Sequence, residues 1–170
     1  MKKAPSFKNI IITLLAFAAV FTFSAKTLAE NAAGLTLGGP TFIHFATELE
    51  SKKYFEVGLS FSYKNSTHVY GDYLIYTNQV FNNPNLNDIS LFYGVGGVIV
   101  INNKDRPEKD GYYSKDSGEV GFGVRFPLGL EWRGAKTQEI GVHLRLDPVI
   151  AIAPETEVGF MAGLGAKYYF

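Results

Sequence analysis

The sequence predicts an all-β protein, an eight-stranded antiparallel transmembrane β-barrel of up-and-down topology. Apolar and polar residues alternate over most of the last fifty residues, and a period of two is typical of a β-strand. Three segments there, 119–133, 139–152 and 158–170, reach the roughly 9 to 11 residues that a strand needs to cross a membrane. Soluble strands average only about five or six residues.

The composition of the two strand faces indicates which one meets lipid. In 119–133 one face is bulky and uncharged, and the other combines glycines with long charged side chains. A soluble barrel of lipocalin type buries its apolar face inside, whereas a membrane barrel turns it outward. Glycines and charges suit a crowded, narrow lumen, so we expect the apolar face on the outside. It comprises Val120, Phe122, Val124, Phe126, Leu128, Leu130 and Trp132.

Residues 1–29 have the features of a cleaved secretory signal peptide. Three lysines within the first eight residues precede an apolar run at 10–23, and short side chains stand at position 27 and at Ala29. The run is shorter than the roughly 20 residues of a membrane-spanning helix. The predicted domains are therefore a signal peptide, 1–29, and a barrel, 30–170, located in the cell outer membrane.

The strand count comes from the mature chain. Residues 30–48 form either two short strands bent at the Gly-Gly-Pro of 38–40 or one long irregular strand, and the even strand numbers of bacterial barrels favour two. Six long strands follow, at 55–63, 68–81, 89–102, 119–133, 139–152 and 158–170.

The links between strands predict which end of the barrel faces outward. The one sizeable link, 103–117, holds four basic and four acidic residues together with Tyr112 and Tyr113, and long links are extracellular in such barrels. The short turns and both termini are then periplasmic. Aromatic residues should form an interfacial belt at the periplasmic rim, namely Tyr54, Phe55, Trp132, Tyr168 and Phe170.

Composition excludes several classes of protein. Removal of residues 1–29 takes away four lysines and no acid, which leaves 141 residues with 12 basic and 16 acidic side chains and a net charge of −4. The sequence has no stripe of basic residues that could bind along a phosphate backbone, so nucleic acid is not an expected partner. Cysteine is absent, which excludes disulfides, thiolate metal sites and a lipoprotein anchor. No cofactor is predicted.

The histidines do not predict a metal site. His44, His68 and His143 fall on separate predicted strands without i, i+4 spacing. His143 should point into the lumen beside Arg145 and Asp147, where a hydrogen-bonded histidine is the simpler interpretation. No metal ligand and no catalytic residue are therefore assigned.

Short motifs spread over the mature chain carry a resemblance to a known family. They are Asp72–Leu74, Tyr93–Gly96, Gly123–Leu130, Asp147–Pro148, Ala153–Thr156 and Gly165–Phe170. These motifs resemble a small uncharacterised outer-membrane β-barrel family that belongs with the OmpA-like and OmpX-like eight-stranded barrels. The resemblance implies that Gly165, Tyr168 and Phe170 form the terminal signal that the barrel-assembly machinery reads. It implies a fold and a location, but no established activity.

Three functions are compatible with this pattern. The first is a structural or envelope-integrity barrel, a monomer in contact with membrane lipid and lipopolysaccharide, because eight strands enclose only enough space for side chains. The second is surface adhesion through 103–117, since Tyr112 and Tyr113 are good contact residues. The third is a lipid A-modifying enzyme, which needs a nucleophile in reach of a base.

The enzyme interpretation has little support in the sequence. A resemblance to the outer-membrane deacylases of this size would require a His-x-Ser pattern, but His143 is followed by Leu144 and Arg145. No serine follows Ser117 in the sequence. The chain is therefore predicted not to be an enzyme.

Charge pairing predicts a register for the last hairpin but one. Inward residues must face inward residues, so the numbers of paired residues sum to an even value. A sum of 270 sets Arg125 against Arg145. A sum of 272 sets Arg125 against Asp147 and Arg133 against Glu139, and opposite charges across a ladder stabilise by roughly 0.2 to 1 kcal/mol. We therefore expect these two ion pairs in the lumen, with the Arg125 pair closing it.

The position of the cleavage site can be tested directly. Because the short residues precede Glu30, protein purified from outer membranes should begin at Glu30 when its N-terminus is sequenced. A product that begins near Met1 and stays in the inner membrane would contradict both the signal peptide and the barrel.

Overall fold

The computed structural model describes residues 30–61, 66–78, 81, 86, 88–102, 120–134, 138–154 and 156–170. The predicted signal peptide and the link 103–117 lie outside these residues. No helix in the described part of the chain is long and apolar enough to cross a bilayer. The strands are β1 (Asn31–Gly39), β2 (Thr41–Glu50), β3 (Lys53–Phe61), β4 (Ser66–Asn78), β5 (Ile89–Asn102), β6 (Val120–Arg125), β7 (Leu128–Arg133), β8 (Ile140–Ala153) and β9 (Glu157–Tyr169).

The strands close into one antiparallel barrel. Each pairs with its neighbour in sequence from β1 to β5, while β9 pairs with both β8 and β1. β6 and β7 both lie between β5 and β8, so they are two halves of one barrel strand. The barrel therefore has eight strands around its circumference, and the predicted fold is confirmed. The N-terminal region forms two strands, β1 and β2.

The predicted single strand 119–133 is interrupted at Phe126 and Pro127. Proline has no backbone N–H and cannot donate to a ladder. The ladder continues on either side of it, because the carbonyl of Pro127 accepts from Gly94 N–H at 2.8 Å and Phe126 N–H donates to the carbonyl of Pro148 at 2.9 Å. The break therefore divides the strand without opening the barrel.

Alternate residues face lipid and lumen as the sequence predicts. On β8 the side chains of Arg145 and Asp147 are 1% and 0% exposed, whereas Leu144 and Ile152 are 58% and 60% exposed. The same division holds on β6, β7 and β9. An apolar outer wall around a charged interior is the arrangement of a membrane barrel.

Inward glycines make room for large side chains on neighbouring strands. Gly129 pairs with Phe92, and a Cβ atom at Gly129 would lie 2.3 Å from the Phe92 ring and 2.4 Å from the carbonyl oxygen of Leu144. Gly58 pairs with Tyr70, and a Cβ atom there would lie 2.5 Å from the phenol oxygen. At these two positions, a large side chain crosses the narrow lumen beside a residue that has no side chain.

Replacing Gly129 by alanine should destabilise the barrel. The new methyl group meets both a ring and a backbone oxygen, so the wall must shift, and overpacking of this kind costs about 1 to 3 kcal/mol. Gly97→Ala is the matched control, because its Cβ atom would have only Gly123 O within reach, at 4.0 Å. Urea unfolding in lipid vesicles compares the two, and equal free energies of unfolding would contradict the packing argument.

Candidate functional site

Arg145 lies at the centre of the lumen and binds carboxylates from three strands. Its Nη1 is 2.7 Å from Glu56 Oε1 on β3, and its Nη2 is 3.4 Å from Asp72 Oδ2 on β4. Its Nε donates to Asp147 on the same strand, at 3.0 and 3.1 Å. All four side chains are buried. One guanidinium therefore connects opposite walls of the barrel.

Arg125 adds a second guanidinium to the same carboxylates. Its Nη2 donates to Asp147 Oδ2 at 2.8 Å, and its Nε is 3.3 Å from Asp72 Oδ1. Its guanidinium carbon lies 3.9 Å from the centre of the Tyr70 ring, within the range of a cation–π contact. Asp72 and Asp147 are thus each shared by two arginines.

Lys167 extends the network toward the end of the barrel where β1 begins and β9 ends. Its Nζ lies 2.8 Å from Glu56 Oε2 and 3.8 Å from Glu131 Oε2. Lys167 also donates to the hydroxyl of Tyr76 at 3.0 Å, and Tyr76 donates to Glu131 at 3.1 Å. Tyr169 is a second phenol donor to Glu131. Polar contacts therefore run unbroken from Glu56 to Tyr169.

Two of the three histidines meet in the lumen around one hydroxyl. Thr36 Oγ1 lies 3.2 Å from His44 Nε2 and 2.7 Å from His143 Nε2. His44 Nδ1 is 3.2 Å from Glu56 Oε2, which joins the histidines to the ion-pair network. Within the described residues, no cluster of three or more His, Cys, Asp or Glu side chains has the geometry to hold a metal ion.

The charges in the buried lumen nearly balance. Among the described residues that are buried there, three are cationic (Arg125, Arg145 and Lys167) and four are carboxylates (Glu56, Asp72, Glu131 and Asp147). Near neutrality matters because buried charges are tolerated only when they are paired and hydrogen-bonded.

A second ion pair lies at the mouth of the barrel, which is the end where β1 begins and β9 ends. Arg133 Nη2 and Nη1 donate to the two carboxylate oxygens of Glu30 at 2.8 and 3.1 Å, and Tyr54 donates to the same carboxylate at 2.6 Å. The Arg133 guanidinium lies 3.6 Å from the centre of the Tyr169 ring. Partial burial opposes the charged form, but the bonds from Arg133 and Tyr54 and the charge of Arg133 hold the pKa of Glu30 below its usual value.

The mouth contains a cavity of about 280 Å³ that is open to solvent on one side. The described residues that line it are Glu30, Lys52, Tyr54, Tyr76, Asn78, Asp88, Ser90, Arg133, Gln138 and Tyr169. Tyr54 was predicted in the outer aromatic belt, but it is only 7% exposed and points inward. Its neighbour Phe55 faces outward, and adjacent residues of a strand face opposite sides, so the prediction for Tyr54 was wrong.

The predicted register between β7 and β8 is wrong by two residues. Paired residues sum to 274, so Arg125 stands opposite Val149 and Arg133 opposite Gly141. The structure still brings Arg125 to Asp147, because the long side chain reaches diagonally along the lumen. It separates Arg133 from Glu139, whose side chain is exposed in the turn, and pairs Arg133 with Glu30.

The register prediction failed because the residues paired in the backbone ladder are not the residues that form ion pairs. Arg145 stands opposite Gly129, which leaves space for the guanidinium to reach across the lumen. Its carboxylates Glu56 and Asp72 come from the far wall, where the sequence gives only their inward parity. Lys167 has the same parity signal, since it alternates with the apolar outer face of β9. The alternation pattern could have identified these residues as facing the lumen, but it could not have predicted which of them pair.

The remaining predicted residues lie near the end of β9 or outside the described residues. Tyr168 and Phe170 face outward with their rings 6.2 Å apart. A Cβ atom at Gly165 would lie 2.4 Å from the carbonyl oxygen of Leu35 and 2.6 Å from His143 Nε2, so packing requires a glycine here, and its part in an assembly signal stays a prediction. Tyr112 and Tyr113 lie outside the described residues, and adhesion through them stays a prediction.

Comparison with other proteins gives a family and a fold. A family model described as a protein of unknown function, DUF3996, matches residues 22–168, so the chain belongs to the DUF3996 family. No curated protein matches it in sequence. The N-terminal β-barrel domain of Pseudomonas aeruginosa OprF is similar in structure, with a TM-score of 0.57, 14% identity and coverage of 84% of this chain and 96% of that one. Neisserial surface protein A (NspA) is also similar in structure, with a TM-score of 0.54, 12% identity and coverage of 84% of this chain and 94% of that one.

Asp147→Ala should destabilise the barrel far more than Glu139→Ala. The first removes a carboxylate shared by two buried arginines, and breaking a buried pair costs about 3 to 5 kcal/mol. The second removes an exposed side chain, where changes stay within about 0.5 kcal/mol. Adding Arg125→Met to Asp147→Ala should recover part of the loss. Denaturant unfolding in lipid vesicles measures each variant, and similar losses for the two single variants would contradict this assignment.

Proposed function

We propose that this DUF3996 protein is a monomeric outer-membrane barrel with a closed lumen and a structural or envelope-integrity role. The mature barrel begins at Glu30, is inserted by the barrel-assembly machinery and lies in contact with membrane lipid and lipopolysaccharide. Its apolar outer wall, its terminal aromatic residues and its similarity in fold to outer-membrane barrels support this location.

The observation that carries the proposal is the layer of ion pairs around Arg145. Its guanidinium contacts Glu56, Asp72 and Asp147 from different walls, and all of these side chains are at most 1% exposed. An ion crossing the lumen would have to separate buried pairs and leave charges without partners. Such a separation costs several kcal/mol, so the layer favours a barrel that does not conduct.

Apolar layers on both sides of the charges strengthen the closure. The cluster toward the far end consists of Phe42, Tyr70, Val98, Val100, Val149, Ala151 and Met161. The cluster toward the termini consists of Ala32, Ala46, Tyr54, Leu74, Tyr76, Phe92 and Tyr169. A hydrated ion would therefore lose its water shell before it reached the charged layer.

The arrangement of Thr36, His44 and Glu56 does not favour catalysis. A hydroxyl, an imidazole and a carboxylate in hydrogen-bond reach have the order of a nucleophile, a base and an orienting acid. Thr36 is however 0% exposed, and its hydroxyl is held by His143 as well as His44. Without access for a substrate, these groups serve as a hydrogen-bonded part of the lumen packing.

Planar-bilayer recording tests the closed lumen. Wild-type protein, with insertion verified by heat-modifiable migration on gels, should give no conductance steps. The double variant Arg145→Gly and Asp147→Gly removes one charge of each sign and two large side chains, so it should give measurable steps. Leu144→Ala, on the lipid face of the same strand, is the control and should stay silent. Regular steps from the wild type would overturn the proposal.

A further inference from the structure

Glu30 is held in the mouth as a bound carboxylate would be. It precedes β1, and its carbonyl accepts one ladder bond from Glu48 N–H at 2.8 Å. Its side chain reaches over the opening, where the Arg133 fork binds both carboxylate oxygens and Tyr54 supplies a third donor. Two parallel guanidinium bonds are the geometry with which arginine recognises carboxylates.

We propose that the mouth is a binding site for a small carboxylate ligand, and that Glu30 occupies it as an internal competitor. The Arg133 guanidinium is positioned independently of Glu30, since it packs on the Tyr169 ring and donates to the carbonyl of Gln138 at 2.7 and 3.1 Å. The receptor therefore stays assembled when the Glu30 side chain leaves.

The charges of the lining favour an anionic ligand. Among the described side chains other than Glu30, the charged groups around the cavity are Arg133, Lys52 and Asp88, which give a net charge of +1, and cleavage before Glu30 adds the positive α-ammonium group of that residue. The neutral donors and acceptors of Asn78, Ser90 and Gln138 surround them and match a polar group attached to the carboxylate. A ligand with a free carboxylate, such as the end of a short peptide, offsets part of this positive charge.

The size and exposure of the cavity fit exchange with small molecules. A volume of about 280 Å³ is close to the lower end of ligand pockets, so a few residues of a peptide would fill it. The ion pair is reachable from solvent, with side-chain exposures of 26% for Arg133 and 35% for Glu30. The tethered Glu30 competes intramolecularly, so a free ligand must exceed the effective concentration of its carboxylate or offset it by extra contacts.

Chemical rescue of a truncated Glu30 tests the site. Glu30→Gly removes the atoms that propionate restores, so propionate should bind this variant saturably in calorimetry and raise its melting temperature. The wild type should bind propionate at least tenfold more weakly, because Glu30 competes. Propionamide, of the same shape without charge, should bind neither protein. If Glu30→Gly does not fold, Glu30→Ala with acetate and acetamide gives the same comparison.

A second substitution identifies the receptor. Adding Arg133→Gln to Glu30→Gly should reduce propionate affinity at least tenfold, whereas adding Lys53→Gln, a change at an exposed lysine outside the cavity lining, should leave it unchanged. Equal affinities in the wild type and Glu30→Gly, equal affinities with and without Arg133, or no binding to any variant would each overturn the proposal. None of these readouts depends on whether the lumen conducts.

Discussion

The guanidinium of Arg145 is the group on which the interior depends. A buried cation needs several partners at once, and no single neighbouring strand supplies them, because Arg145 stands opposite Gly129 on β7. Its carboxylates instead come from β3, β4 and its own strand. The contacts therefore hold walls together that the backbone ladder does not connect directly. In a barrel without a conventional apolar core at its centre, these pairs take the place of core packing.

Space for the charges comes from glycines on the inward face. A Cβ atom at Gly96 would lie 2.0 Å from Asp72 Oδ1, and one at Gly141 would lie 2.7 Å from Glu131 Oε1. Each of these glycines faces a carboxylate that belongs to the network. At these positions the alternation of glycine with charge in the sequence has a packing reason, since the glycine leaves the space that the neighbouring carboxylate occupies.

The sequence predicts which face a residue takes, but not which residue it meets across the lumen. Period-two patterning placed Arg125 and Asp147 inside, because a wrong parity would expose charge to lipid. The predicted pairing of Arg133 with Glu139 was wrong, since the true register sets Arg133 against Gly141 and its partner Glu30 lies just before β1. A contact between the first described residue and β7 depends on how the barrel closes, and no local pattern contains that information.

Arginine and carboxylate form the same chemical pair in the central layer and at the mouth, but their surroundings give the pairs different roles. In the centre both partners are inaccessible to water, so separating them leaves uncompensated charge and costs about 3 to 5 kcal/mol. At the mouth the partners are partly exposed, and pairs in contact with water contribute only about 0 to 1 kcal/mol. The central pairs therefore stay closed and stabilise the folded barrel. The Glu30 pair can exchange, because water replaces the lost partner, and this difference in hydration separates a structural ion pair from a binding site.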